Sequence, residues 1–144
     1  MNRTLNTDDA VVFPTVVLDA SAAIEVLVKR TSKGDAVADR IRDCSLVSPT
    51  TFAFEVTNVI RRGLSARLLS PEAAELAWMG LNELDVELWQ WATLARWVWC
   101  LKSSLSAYDA SYIALALLLD CPLITTDPKL AALAPPACRV ELIA

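Results

Sequence analysis

The apolar positions of this chain follow two rhythms that alternate from end to end. Thr15–Leu18 (TVVL) is apolar or β-branched without a break, as a strand buried on both faces of a parallel sheet is. Leu46–Ser48, Val86–Leu88, Pro122–Thr126 (PLITT) and Val140–Ile143 predict further short strands, the last at a sheet edge. Between them the spacing becomes helical. Ser21–Val28 predicts a short helix. Residues 33–43 predict an amphipathic one, with Val37, Ala38 and Ile41 on one face and Arg40, Arg42 and Asp43 on the other. Thr50 to about Leu68 reads as a long helix behind Pro49. Ser70 and Pro71 supply an N-cap and a first-turn proline for a helix to about Leu84. Three helices complete the series: Trp91–Leu101, a very apolar one from Ser106 to near Asp120, and a short one capped by Asp127 before Pro128. Such alternation predicts a three-layer α/β/α fold around a mainly parallel sheet of four or five strands. Ligands of these folds sit beyond the carboxyl ends of the strands, so the residues just after each strand matter most.

The polar residues 1–14 read as a flexible arm ending at Pro14, and residues 15–144 as a single domain, long enough to close a core without staples. Several chemistries are excluded outright. There is no histidine, so Ser-His-Asp and Cys-His sites and His-ligated zinc are impossible. The three glycines, Gly34, Gly63 and Gly80, are too few and too scattered for a glycine-rich phosphate loop. Cys44, Cys100, Cys121 and Cys138 form no C-x-x-C pair and read as reduced, mostly buried core residues of a cytoplasmic protein. The longest apolar run, Tyr112 to Leu119, falls far short of a membrane span, and no secretory signal opens the chain.

The net charge of −4 is a poor footprint for nucleic-acid binding, but the charge is unevenly placed. Arg61, Arg62 and Arg67 lie in a stretch with no acid. Glu72, Glu75, Glu83, Asp85 and Glu87 lie in one with no base. The ordinary reading of both is a solvated helix face.

Four acids stand apart. Asp19 directly follows the first strand and Asp127 the fourth. Asp109 lies in the first turn of the helix begun by Ser106. Glu55 sits among Phe52, Ala53, Phe54 and Val56, with Asn58 three residues on along the same helix face. Helix capping accounts for Asp127, Asp109 or Asp19 taken singly. Glu55 resists that account, because an unpaired carboxylate on an apolar face is costly. With these four set aside, acids and bases number 13 each, so the quartet equals the whole net charge. Two carboxylates ~5 Å apart at an effective dielectric of ~20 repel by about 3 kcal/mol. A cluster of them therefore holds raised pKa values or recruits a hard cation, with all-oxygen donors pointing to Mg²⁺ or Mn²⁺.

These residues occur in stretches that resemble a known family: VVLDAS at 16–21, FEVTNVIRRG at 54–63, LSAYDASYIALAL at 105–117 and PLITTDPKL at 122–130. In order and spacing the sequence resembles a PIN domain, specifically the VapC-type toxin of a type II toxin–antitoxin pair. The resemblance implies a Mg²⁺-dependent endoribonuclease, with Mn²⁺ able to substitute, in which Asp19, Glu55, Asp109 and Asp127 form the acidic quartet. Asp19 and Asp109 would be the main metal ligands. Glu55 would bind metal directly or through water and orient or deprotonate the attacking water. Asp127 would complete the outer shell or a second metal site. Ser21 and Thr125 would hydrogen-bond the acids or the scissile phosphate, Asn58 would fix Glu55, and Arg61, Arg62 and Arg67 would contact RNA backbone. The resemblance further implies a homodimer, a VapB-type antitoxin that blocks the acidic pocket, and DNA contact only through that antitoxin.

Glu25 stands where many relatives have lysine, which is expected to affect RNA or antitoxin contact more than metal binding. Trp89, Trp91, Trp97 and Trp99 could stack bases, although their apolar flanks favour core or dimer contact. Two other functions stay open. One is a module that keeps the fold for binding alone. The other is a regulatory domain with Asp19 as phospho-acceptor, whose companion strand-end lysine is missing, since the only late lysine, Lys129, follows Asp127 in a helix.

Overall fold

The computed structural model describes residues 11–144. The strands are β1 (Thr15–Leu18), β2 (Ser45–Pro49), β3 (Val86–Trp89), β4 (Leu123–Thr125) and β5 (Val140–Leu142). They form one sheet in the order β3-β2-β1-β4-β5, every neighbouring pair parallel. β1 is central, and Val16, Val17 and Leu18 are almost wholly buried. The helices are α1 (Ala20–Ile24), α2 (Ser32–Ile41), α3 (Thr51–Ser65), α4 (Pro71–Glu83), α5 (Trp91–Cys100), α6 (Ala107–Leu119) and α7 (Pro128–Leu133). The arm predicted for residues 1–14 lies mostly outside the described residues; residues 11–14 are exposed.

The chain winds outward from β1 to β2 and β3, then crosses back to place β4 on the other side of β1. Right-handed crossovers put the helices of the two halves on opposite faces of the sheet. β1 and β4 therefore flank the point where strand order reverses, the place where doubly wound sheets open a crevice. The core is continuous across the layers. Val56 and Ile60 of α3 and Ala110, Ile113 and Ala114 of α6 are buried with β1. The α6 sequence, apolar on all sides, fits a helix buried along most of its length.

Two boundaries differ from the sequence reading by more than two residues. The predicted helix Ser21–Val28 begins as α1 but widens into a π-helical turn over Glu25–Lys29, ended by Arg30 in the left-handed region at φ 53°. Packing accounts for the close fit beside it: a Cβ on Gly34 would stand 2.4 Å from the Glu25 carbonyl oxygen, so α2 approaches this turn only through a glycine. The long helix ends at Ser65 rather than Leu68, and Arg67 adopts φ 57° while the Leu68 and Leu69 amides bond back to the Gly63 carbonyl. Of the cysteines, Cys121 and Cys138 are buried and Cys44 partly so. Cys100, the last residue of α5, is exposed, so the expectation of mostly buried cysteines holds for the other three. No helix among the described residues is long and apolar enough to cross a membrane.

Candidate active site

A pocket of about 280 Å³ opens at the reversal point. All four acids line it. Asp19 arrives from the end of β1, Glu55 from the second turn of α3, Asp109 from the first turn of α6 and Asp127 from the loop after β4. Ser21, Asn58 and Arg62 share the lining. Among the described residues, Arg62 is the one basic side chain lining it.

Asp19 is the buried centre of this group. It occupies the N-cap position of α1, yet its side chain caps nothing. Instead Oδ2 accepts from Ser21 Oγ at 2.5 Å and from Thr125 Oγ1 at 2.7 Å. The two hydroxyls in turn accept from backbone, Ser21 from the Thr126 N–H at 3.1 Å and Thr125 from the Asp127 N–H at 3.0 Å. A hydroxyl has one proton to give, and both protons go to the same carboxylate oxygen. The arrangement binds the end of β1 to the end of β4 and leaves Oδ1 without a hydrogen bond among the described residues. Burial pushes the Asp19 carboxyl above its usual range, the two hydroxyls pull against that, and the charges of Asp127 and Asp109 add to the rise.

Glu55 is half-buried, and burial also raises its pKa. The Tyr112 hydroxyl, donating to Oε1 at 3.2 Å, opposes the rise, while Asp19 and Asp109 reinforce it. The same burial and the nearby carboxylates drive the Tyr112 phenol well above its ordinary value, so it remains a donor. Asp127 does cap α7, accepting from the Lys129 N–H at 2.9 Å. Asp109 lies within the first turn of α6, its N–H donating to Ser106 Oγ at 3.2 Å. As they stand, no three acidic or cysteine side chains among the described residues are gathered as metal ligands. The donor set is nonetheless all oxygen, converges on one polar pocket and suits a hard cation.

A family profile for the PIN domain matches residues 16–135. This chain belongs to the PIN-domain family. Ribonuclease VapC12 of Mycobacterium tuberculosis is 34% identical over 129 residues, covering 90% of this chain and 99% of that protein. Ribonuclease VapC1 of the same species is 30% identical, covering 88% and 96%. Among solved structures, VapBC2 from Rickettsia felis, bound to a DNA fragment from its promoter, superposes with a TM-score of 0.65 at 10% identity, covering 90% of this chain and 99% of that one. The sarcin-ricin loop cleaving toxin VapC20 of M. tuberculosis gives 0.59 at 15%, covering 86% and 98%.

Several expected neighbours of the quartet take other positions in this PIN domain. Asn58 lines the pocket but accepts from Arg61 Nε at 3.3 Å; it makes no hydrogen bond to Glu55. Tyr112 holds Glu55 instead. Arg61 is exposed and outside the pocket lining, whereas Arg62 is part of it. Glu25 does not face the pocket. It is buried in the π turn, where it pairs with Lys29 at 2.8 Å and accepts from Thr31 Oγ1 at 2.9 Å. Its charge is met internally by Lys29 and Thr31, and Lys29 in turn borders a neighbouring apolar groove.

Proposed function

We propose that this PIN domain is a Mg²⁺-dependent endoribonuclease, the toxin of a type II toxin–antitoxin module. The observation that carries the reading is the convergence of Asp19, Glu55, Asp109 and Asp127 from four separate elements on one pocket. The names of its relatives, ribonucleases of the VapC type, support it. Asp19 through its free Oδ1, together with Asp109, would hold the cation, with Asp127 completing the outer shell. Bound Mg²⁺ supplies a lowered water pKa and offsets phosphate charge in an in-line displacement. Glu55, with Oε1 held by Tyr112 and a raised pKa, would accept the proton of the attacking water at Oε2. Ser21 and Thr125, which donate to Asp19 Oδ2, would fix that carboxylate or meet the scissile phosphate. Arg62 would meet a phosphate at the pocket edge. Hydrolysis would leave a 3′-hydroxyl and a 5′-phosphate.

The partner set we infer is a VapB-type antitoxin and a second copy of the chain, with DNA contact made by the antitoxin. An apolar groove of about 570 Å³, lined by Val28, Gly63, Leu68 and Leu69, shares Ile24, Val59 and Arg62 with the acidic pocket. An antitoxin segment seated there would reach the carboxylates directly.

Purified protein incubated with single-stranded and structured RNAs is expected to cleave with Mg²⁺ or Mn²⁺ and to stop in EDTA. Asp109→Asn is expected to fold and to lose at least about a hundredfold in rate, as removal of a transition-state electrostatic group does. Full activity in that variant would overturn the proposal.

A further inference from the structure

One face of α5 is not used by the site just described. Trp91, Ala95, Val98, Trp99 and Lys102 recur at helical spacing and, with Leu105 and Ala107, line an apolar groove of about 460 Å³. Trp91 and Trp99 are 62% and 69% exposed, unusual for indoles with no partner. Lys102 Nζ stands 5.0 Å from the centre of the Trp99 ring. From Leu88 to Tyr108 the chain carries Arg96 and Lys102 and no acid at all, in a protein whose net charge is −4. The groove ends at Ala107, two residues before Asp109 in the first turn of α6. Helix geometry puts their Cα atoms about 5 Å apart.

We propose that this groove is a base-stacking subsite for single-stranded RNA, adjoining the first turn of α6 that carries Asp109; the inference rests on the ribonuclease reading above. Indole faces accept any base, and a lysine at the ring edge places a cation where the backbone phosphate follows. An acid-free, lysine-bearing groove running to the first turn of the helix that carries Asp109 matches a polyanion that must end in the pocket. The subsite would select unpaired RNA, because bases within a duplex present no free face.

The test uses the full chain in an Asp109→Asn background, which removes cleavage, and labelled uridine-rich and adenine-rich single strands of about ten nucleotides beside a duplex of equal length. Single strands are expected to bind tighter than the duplex. Trp99→Ala is expected to weaken single-strand binding roughly 5- to 150-fold, the range for loss of one base–aromatic stack. Trp99→Phe is expected to recover most of it. Trp97→Ala, on the same helix but outside the groove, is expected to bind normally. If Trp99→Ala does not fold, Lys102→Glu alters only an exposed head group and is expected to weaken binding in the same way. Unchanged RNA affinity in folded Trp99→Ala or Lys102→Glu overturns the proposal. A changed oligomeric mass with unchanged RNA affinity overturns it too, by making the groove a contact between copies. RNA cleavage by the unmodified protein with groove variants binding normally would sink this inference alone. No cleavage and no binding of any RNA would sink the ribonuclease reading with it.

Discussion

Tyr112 reaches Glu55 across 57 positions of sequence with a single hydrogen bond from its uncharged phenol. The bond favours the ionised carboxylate, so its loss raises the Glu55 pKa further. Tyr112→Phe is expected to fold with a stability cost of about 0.5–1.5 kcal/mol, to lower kcat more than it raises KM, and to move the acid limb of the pH–rate profile upward. An unmoved limb would show that Tyr112 is only a packing residue. The four acids were legible in the sequence because strand ends and helix starts are local features, and a sheet of this class brings such ends together. Tyr112 was not. A phenol in a very apolar helix signals that it needs a partner, but the partner's identity is a tertiary fact. Asn58 shows the converse: it has neighbours at i−3 and i+3, its oxygen accepts from Arg61, and its amide N–H groups make no hydrogen bond to Glu55 among the described residues.

Among the elements, the π turn is where local pattern and structure part. Of its residues, Glu25–Val28 read as plain helix, and only the backbone of α2 pressing on the Glu25 carbonyl at Gly34 reveals the constraint. Gly34→Ala is expected to cost about 1–3 kcal/mol, since the clash is with backbone that has no rotamer to yield; a thermal melt measures it. Glu25 stabilises the same turn. Burial raises its pKa, but the hydrogen bonds from Lys29 and Thr31 and the charges of Lys29 and Lys33 prevail and hold it below the usual 4.5. A depressed carboxylate contributes stability that is present above its unfolded pKa and lost as pH falls through its folded one. Melts of the parent and Glu25→Gln between pH 7 and pH 3 are therefore expected to converge as pH falls, and a constant gap would refute the assignment.

For the whole molecule, alternating strand and helix patterns were enough to anticipate the layers and the parallel sheet. Boundaries were less legible, because Ser65, Arg67 and Arg30 end their elements through backbone conformations that tertiary packing selects. The quartet sets a trade between stability and site, since four acids facing one pocket repel when nothing lies between them. Mg²⁺ bound to the native state alone is expected to raise the melting temperature, by the equivalent of about 2.7 kcal/mol at a hundredfold excess over Kd. In Asp19→Asn, that increment is expected to shrink or vanish while the metal-free protein melts no lower than the parent. A metal-independent melting temperature in the parent would remove the cation from the scheme.

The hydroxyl of Thr125 meets Asp19 across 106 positions, so the first and fourth strands complete the pocket together. Ribosomes deliver chains from the N-terminus. A nascent chain, or one broken off before Leu123, carries Asp19, Glu55 and Asp109 but neither the strand that anchors Asp19 nor Asp127. On the ribonuclease reading proposed above, this topology acts as a safety interlock during translation: the acidic pocket cannot be completed until the fourth strand and Asp127 have been made.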